Sequence, residues 1–219
     1  MPITLYWTSG SCPSWRVMFC LELKGLAYES RHLDFSKREH KSAVHLAMNP
    51  RGKVPVLRDG DHTLYESVAI LAYLEAKYPE RPVLGRTPEE TGLVWRWISE
   101  VMAYVEPAID RVCIPIYRGV AGEQADSIRS AARDVVSELR SFEERLAREP
   151  WLVGADPTAA DAALLPQIGH LLRSTGKPVA QELDLDVAPL ASRLPAISAW
   201  WDRCGVVPGF DRTYPPHWR

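Results

Sequence analysis

The sequence lacks the features that mark several large classes of protein. No apolar run approaches the roughly 18 residues of a membrane-spanning helix, and no secretory signal precedes the first predicted strand. The formal net charge of −2 provides no general basic surface for nucleic acid or for an acidic membrane. We also find no internal repeat and no low-complexity tract. These absences favour a cytoplasmic globular protein without a nucleic-acid or membrane partner.

Cysteine is also scarce, and its spacing excludes several kinds of site. The four cysteines form no CxxC pair and no zinc-binding pattern, so we expect no metal. Cys20, Cys113 and Cys204 lie in apolar patterns and are predicted to be buried. Only Cys12 lies in a loop beside a predicted helix start. This usage is typical of a reducing, cytosolic compartment.

Residues 1–80 alternate strand and helix patterns. Asp59-Gly60 lies between two short apolar segments and indicates a hairpin. The predicted strands are Ile3–Trp7, Tyr28–Leu33, Val54–Leu57 and His62–Tyr65, and the predicted helices are Val17–Lys24, Lys37–Met48 and Glu66–Tyr78. The order β-α-β-α-β-β-α predicts a small α+β domain.

The strand patterns end at a linker, residues 81–89, and residues 90–219 are predicted to form an all-helical domain. The predicted helices are Glu90–Tyr117, Ser127–Arg148, Thr158–Leu172 and Leu194–Arg203. Pro107 and Pro115 are expected to bend the first of these helices. Thr158 and Asp161 have the spacing of a capping box, which predicts a structural role at a helix start. The tail, Gly205–Arg219, is rich in proline and aromatic residues.

A turn rich in small hydroxyl residues, Ser9–Ser14, lies between the first strand and the first helix. Free backbone N–H groups and the helix dipole both point at such a turn, so it favours an anion. A serine or cysteine at this position can hold, or become, a thiolate. Because sulfur chemistry depends on the thiolate and not on the thiol, the turn is the candidate reaction centre.

Asn49-Pro50-Arg51-Gly52-Lys53-Val54-Pro55, together with Glu66-Ser67 and the segment Gly154–Asp161, resembles the glutathione transferases over essentially the whole chain. The resemblance implies a thioredoxin-like N-terminal domain followed by an all-α C-terminal domain. It further implies glutathione as co-substrate, a small hydrophobic electrophile as second substrate, and a homodimer in which the first domain of one subunit packs on the long helices of the other.

The same resemblance assigns the glutathione-binding residues. It implies a cis Val54–Pro55 bond, which presents backbone groups to the extended peptide. Ser67 suits the carboxylate and Glu66 the ammonium of the γ-glutamyl end, and Lys53 or His40 could meet the glycyl carboxylate.

Two neighbouring residues, Ser11 and Cys12, are the candidates for the catalytic residue that acts on the glutathione sulfur. Zeta- and tau-like transferases place a serine five residues before the arginine of an Arg-Val pair, and counting back from Arg16 gives Ser11. Cys12-Pro13 is similar to the start of the omega pattern, in which cysteine is catalytic, but Cys12 stands only four residues before Arg16. We therefore favour Ser11 and keep Cys12 as the rival. The departures at positions 12 and 13 from the zeta pattern weaken any transfer of the zeta isomerase activity.

The electrophile pocket is expected between Ser11 and the start of the long helix. Its candidate residues are Trp97, Met102, Tyr104 and Val105, joined by Tyr214, His217 and Trp218 if the tail folds back. The predicted activity is conjugation of the glutathione thiolate to a small hydrophobic electrophile, as in detoxification. Alternatives are a thiol transferase similar to dehydroascorbate reductases that uses Cys12, a zeta-like isomerase, and a non-catalytic binding protein.

Overall fold

A mixed four-stranded sheet forms the first half of the molecule. In this computed structural model, which describes residues 2–218, the strand order is β2-β1-β3-β4. The strands are β1 (Ile3–Trp7), β2 (Tyr28–His32), β3 (Val56–Asp59) and β4 (His62–Tyr65). β1 pairs parallel with β2 and antiparallel with β3, and β3 and β4 form the predicted hairpin. Met1 and Arg219, the outer limits of the two predicted domains, lie outside the described residues.

Three helices cover this sheet: α1 (Cys12–Lys24), α2 (Ala43–Met48) and α3 (Ser67–Lys77). A 3₁₀ turn, Glu39–Lys41, precedes α2. Helix α1 begins five residues earlier than the sequence pattern predicts, because Pro13 occupies the first turn, where a missing N–H costs nothing. Gly25 ends the helix as predicted, at φ 65°, a conformation that glycine adopts without strain.

Residues 2–77 are called the sheet unit below, and residues 78–87 connect it to the second half of the chain. Residues 88–218 are helical and are called the helical unit. Its helices are α4 (Pro88–Glu100), α5 (Glu106–Tyr117), α6 (Ala125–Glu138), α7 (Arg140–Leu146), α8 (Ala159–Thr175), α9 (Pro178–Gln181), α10 (Leu190–Arg193), α11 (Pro195–Gly205) and α12 (Phe210–Thr213), and a 3₁₀ turn covers Pro216–Trp218. Within residues 2–218, no helix combines the length and the apolarity needed to cross a membrane.

Three of the predicted helices are divided in the structure. The segment Lys37–Met48, predicted as one helix, forms the 3₁₀ turn Glu39–Lys41 and α2, which begins after its N-cap Ser42. The pattern over Ser127–Arg148 predicts one helix, but the chain forms α6 and α7 with a break at Leu139. Residues 90–117 form α4 and α5 joined by a π turn, Val101–Val105. The π turn ends two residues before Pro107, which has no N–H to donate and whose ring crowds the carbonyl four residues earlier. The wider turn, in which the Glu106 N–H bonds to the Val101 carbonyl, accommodates this proline.

Helix α8 joins the two units through close packing. Its Gly169 contacts the indole of Trp15 on α1, and a Cβ atom at this position would lie 2.7 Å from that ring. The helix begins with the predicted capping box, in which the Thr158 side chain accepts from a backbone N–H and Asp161 accepts from the Thr158 N–H at 2.9 Å. Asp161 is fully buried and also accepts from the Trp200 indole at 2.9 Å. One continuous hydrophobic core therefore runs through both units.

Candidate functional site

The register of the sheet brings three separate segments to one edge. Tyr6 of β1 lies opposite Val56 of β3, and Val56 lies opposite Tyr65 of β4. The turn after β1, the residues before β3 and the residues after β4 consequently meet at this edge. These are the segments that contain Ser11, Val54–Pro55 and Glu66–Ser67.

Ser11 is the N-cap of α1. Its Oγ atom accepts from the Ser14 amide at 3.3 Å and from the Ser14 hydroxyl at 3.0 Å. A serine hydroxyl has two acceptor positions and one donor hydrogen. With both acceptor positions occupied by Ser14, the Ser11 hydrogen is left to donate to a group outside the helix. The free N–H groups of the first turn and the helix dipole favour an anion in that position.

Cys12 is half-buried, and its thiol faces the helical unit. The Sγ atom donates to the Pro166 carbonyl of α8 at 3.5 Å. Burial, reinforced by the negative charge of Glu106, raises the pKa of the Cys12 thiol to about 12, although Arg16 opposes this shift. The thiol is therefore neutral at physiological pH, which is unfavourable for a nucleophile. Cys20, Cys113 and Cys204 are buried as predicted.

The Val54–Pro55 peptide bond is cis, as the resemblance implies. The preceding carbonyl, that of Lys53, accepts from His45 Nε2 at 3.0 Å and from Asn49 Nδ2 at 2.9 Å. Within residues 2–218, no backbone hydrogen bond occupies the Val54 amide or carbonyl. The anchored segment thus presents an unpaired peptide unit at the site edge. His45 is buried within α2, and the sequence reasoning missed it as a supporting residue.

Glu66 and Ser67 form the third segment. Glu66 has φ 71° and ψ 111°, a conformation that costs a side-chain-bearing residue on the order of 1–3 kcal/mol and that clusters at functional sites. Its exposed carboxylate lies 3.8 Å from the Arg51 guanidinium. Ser67, the first residue of α3, is 6% exposed, and its Oγ atom accepts from Arg16 Nη1 at 2.9 Å.

Basic side chains lie next to these segments. The predicted residues His40 and Lys53 are accompanied by Lys41 and Arg51, which the sequence reasoning did not include. Lys41 donates to the Arg51 carbonyl at 3.2 Å, so the 3₁₀ turn and the loop before β3 are in contact. The only sequence signal for the two additional residues is that they neighbour His40 and Lys53.

His40 itself is half-buried and stacks on the Phe35 ring with a centroid separation of 3.8 Å. Its Nδ1 atom is buried and has no hydrogen-bond partner within residues 2–218. Burial, followed by the positive charge of Lys41, lowers the pKa of the His40 imidazole. The side chain is suited to hydrogen bonding in its neutral form.

The tail folds back onto the first turn. His217 Nδ1 lies 2.5 Å from the Ser9 Oγ atom, and the Trp218 indole N–H donates to His217 Nε2 at 3.0 Å. A Cβ atom at Gly10 would lie 3.1 Å from the His217 ring. The Trp218 ring packs edge-on against Trp15 of α1, with a centroid separation of 5.6 Å. The tail therefore forms one wall beside the turn that carries Ser11.

The predicted pocket residues outside the tail lie on α4 and on the π turn. Trp97 is buried in the helical unit against Phe142, at a centroid separation of 4.5 Å, and Val105 is 1% exposed. Tyr104 and Val105 line a cavity of about 430 Å³ that is bounded by α6 and α7. Met102 is exposed on the π turn. The π turn interrupts the α-helical periodicity at Met102, Tyr104 and Val105, and this could not be read from the sequence pattern.

A row of aromatic rings lies beside the tail. The imidazole of His170 on α8 lies between the Tyr117 ring of α5, at 5.4 Å, and the Trp218 ring, at 6.3 Å, and is tilted 23° from each. The guanidinium of Arg173 lies 5.8 Å from the Tyr117 ring and 5.1 Å from the Trp218 ring. These four residues are called the aromatic wall below. Within residues 2–218 there is no group of three or more His, Cys, Asp or Glu side chains arranged to hold a metal ion.

Comparison with known proteins agrees with this fold. Family models described as the glutathione S-transferase N-terminal and C-terminal domains match residues 5–82 and 106–203. Glutathione S-transferase A of Pleuronectes platessa is 30% identical over 99% of this chain and 92% of its own length. Glutathione S-transferase F10 of Arabidopsis thaliana is 32% identical over 86% of this chain and 85% of its own. A crystal structure of a glutathione S-transferase from the Antarctic clam Laternula elliptica superimposes with a TM-score of 0.82 and 28% identity, covering 100% of this chain and 94% of that one.

The four-stranded sheet unit followed by the all-helical unit is the fold of the glutathione transferases. The chain belongs to the glutathione S-transferase family.

Proposed function

We propose that the protein conjugates the thiolate of glutathione to small hydrophobic electrophiles, with Ser11 as the residue that stabilises the thiolate. The observation that carries this proposal is the hydrogen bonding of Ser11, whose acceptor positions are both occupied by Ser14, so that its hydroxyl can only donate outward. The thiolate is the expected acceptor because the N-terminus of α1, where Ser11 lies, favours a negatively charged group.

The free energies expected from the Ser11 hydrogen bond and the helix N-terminus are sufficient to stabilise the thiolate at neutral pH. Lowering a thiol pKa by one unit takes about 1.4 kcal/mol of preferential thiolate stabilisation. A hydrogen bond to a charged acceptor contributes about 1.5–3 kcal/mol, and a helix terminus contributes about 0.3–1 kcal/mol. Together they lower the pKa of a thiol from about 8.5 by about two units, which makes the thiolate dominant at neutral pH. The reaction then needs only proximity to the electrophile and no metal.

The remaining segments account for the rest of the glutathione molecule. The Ser67 hydroxyl and the first N–H groups of α3 suit the γ-glutamyl carboxylate, and the exposed Glu66 carboxylate suits the ammonium group. The unpaired Val54 peptide unit suits the peptide backbone of glutathione, as in β-augmentation, with Pro55 fixing the approach to β3. The basic residues His40, Lys41 and Lys53 suit the glycyl carboxylate.

We infer that the electrophile binds between the Ser11 turn and the aromatic wall. Aromatic side chains there provide flat apolar surface, and such pockets accept flat hydrophobic molecules. The relatives named above are glutathione S-transferases, which supports the reaction class. Trp218, which the sequence analysis placed in the pocket, belongs to the aromatic wall and also packs against Trp15.

The alternatives receive less support. A thiol transferase would use the Cys12 thiolate, but burial raises the pKa of this thiol to about 12. A zeta-like isomerase and a non-catalytic binding protein remain alternatives, and the presence of Ser11, Glu66 and Ser67 argues against the second of these.

We further propose that the protein is a homodimer, in which the sheet unit of one subunit packs against the α4–α5 region of its partner. The exposed side chains of Leu93, Met102 and Tyr104 on this region are compatible with such packing. Sedimentation at micromolar concentration tests the proposal. We expect a species of twice the 24.6 kDa chain mass, and a single species of chain mass would contradict it.

Isothermal titration with glutathione tests the site. Ser67→Ala removes one charge-assisted hydrogen bond and is expected to weaken binding by about 1.5–3 kcal/mol, and Glu66→Ala is expected to weaken it as well. Wild-type affinity in both variants would overturn the assignment. Turnover of an activated aryl chloride, measured with glutathione in the same preparation, tests the reaction itself.

A further inference from the structure

Arg16 is a buried cation that has two acceptors among the described residues, 2–218. Its side chain is 1% exposed, Nη1 donates to the Ser67 hydroxyl at 2.9 Å, and Nη2 lies 3.4 Å from Glu106 Oε2. Its Nε atom has no partner within residues 2–218. A buried charge must be compensated, and Glu106 is the carboxylate that pairs with it.

Glu106 belongs to the helical unit, whereas Arg16 and Ser67 belong to the sheet unit. Glu106 directly follows the π turn of residues 101–105, and its N–H closes that turn on Val101. Its Oε2 atom also accepts from Gln167 Nε2 of α8 at 3.0 Å. Two helices of the helical unit therefore hold the carboxylate against Arg16.

The contact with Arg16 influences whether the Ser67 hydroxyl donates or accepts a hydrogen bond toward a ligand. Because the guanidinium donates to Ser67 Oγ, the hydroxyl hydrogen points to another acceptor. Within residues 2–218, no group accepts from this hydroxyl. The hydroxyl hydrogen is thereby left available to donate at the N-terminus of α3, which is the polarity that a carboxylate ligand requires.

We propose that Glu106 is a positioning residue for glutathione: acting through Arg16, it holds the Ser67 hydroxyl as a donor toward the γ-glutamyl carboxylate. The helical unit then contributes to glutathione affinity without touching glutathione. This inference rests on the proposed function of Ser67 and extends it across the boundary between the two units. Charge removal at Glu106 leaves Arg16 without its counter-ion, so the guanidinium no longer has a fixed position from which to orient Ser67.

A double-mutant cycle on the full chain tests this relay. Glutathione dissociation constants are measured by isothermal titration for wild type, Glu106→Gln, Ser67→Ala and the double variant, and unfolding temperatures are recorded for all four. We expect Glu106→Gln to weaken glutathione about fivefold, within the range for coupled residues of one network. In the Ser67→Ala background the same change is expected to have no further effect. A merely structural role would weaken binding equally in both backgrounds.

The matched control is Asp110→Asn. Asp110 lies one turn further along α5, is half-buried, and makes no hydrogen bond within residues 2–218. This control removes a neighbouring carboxylate without touching Arg16, and we expect the glutathione dissociation constant to stay within twofold of wild type. If Ser67→Ala weakens binding while Glu106→Gln does not, the relay is wrong and the glutathione site stands. If Ser67→Ala has no effect, the relay is wrong, and the site assignment is wrong as well if Glu66→Ala also has none. Equal losses for Asp110→Asn and Glu106→Gln would also overturn the relay.

Discussion

The Cys12 thiol donates its hydrogen bond to the Pro166 carbonyl, so it faces α8 across the boundary between the two units. Ser11, one residue earlier, instead caps α1 and keeps its hydroxyl hydrogen available. The two adjacent residues therefore differ in both direction and chemistry. This difference separates the transferase proposal from the thiol-transferase alternative.

The first prediction concerns the reactivity of Cys12. Because burial raises the pKa of this thiol to about 12 from 9.0, we expect alkylation by iodoacetamide at pH 8 to be slower than that of an ordinary thiol by two to three orders of magnitude, one order for each pKa unit. Mass spectrometry of the folded protein measures the rate, and Cys12→Ser gives the background from the three buried cysteines. Complete labelling of Cys12 within minutes, with loss of activity, would show that the thiolate is accessible.

Asp161 provides a test of the structural assignment of the capping box. Its buried carboxylate accepts from the Thr158 and Leu152 amides and from the Trp200 indole. Asp161→Ala leaves these donors unsatisfied, and we expect the free energy of unfolding to fall by at least about 3 kcal/mol in urea titrations. The control is Asp156→Ala, which removes a carboxylate from an exposed ion pair and is expected to change stability by less than about 0.5 kcal/mol. Similar losses for both variants would contradict the structural role.

The aromatic wall predicts a pH dependence of stability. Burial, together with the positive charge of Arg173, lowers the pKa of His170 from 6.5 to about 4. Between these values the unfolded chain binds the proton and the folded chain does not, so acidification from pH 6.5 to 4 favours unfolding. We expect the unfolding temperature to fall over this range in wild type and to fall less steeply in His170→Gln. Identical slopes would show that His170 does not contribute to the acid sensitivity.

Trp218 tests the role of the tail. The indole packs against Trp15 and His170, which hold it beside the proposed electrophile site. Trp218→Ala is therefore expected to remove about 0.5–1.5 kcal/mol of ring contact between this indole and an aromatic electrophile. Steady-state kinetics should then show a higher KM for the electrophile, by about 2- to 12-fold, and an unchanged dissociation constant for glutathione. An unchanged KM for the electrophile would place its binding site elsewhere.

Much of the fold could be predicted from local signals in the sequence. Asp59-Gly60 indicated the β3–β4 hairpin, Gly25 indicated the end of α1, and Thr158 with Asp161 indicated the start of α8. Each of these signals depends on residues that are close in the chain. The family resemblance added the cis Val54–Pro55 bond, which no local rule requires.

The contacts that define the site could not be predicted in this way, because they join distant segments. Trp97 and Val105, which the sequence analysis assigned to the pocket, are buried in the helical unit, and the π turn that contains Val105 interrupts the helical periodicity. The pairing of Arg16 with Glu106 and Ser67 depends on the docking of the two units. The break at Leu139 lies within an unbroken apolar pattern and has no local signal.

The pH–rate profile of Ser11→Ala is the most direct test of the central claim, that the Ser11 hydroxyl stabilises the glutathione thiolate. Conjugation of an activated aryl chloride is measured from pH 5.5 to 9 for wild type, Ser11→Ala and Cys12→Ser. Loss of a charge-assisted hydrogen bond of about 1.5–3 kcal/mol is expected to raise the apparent pKa of bound glutathione by about one to two units, and to slow conjugation at neutral pH by about 10- to 100-fold. Cys12→Ser is expected to keep the wild-type profile. An unchanged profile in Ser11→Ala, with loss of conjugation and of disulfide reduction in Cys12→Ser, would show that Cys12 is the catalytic residue.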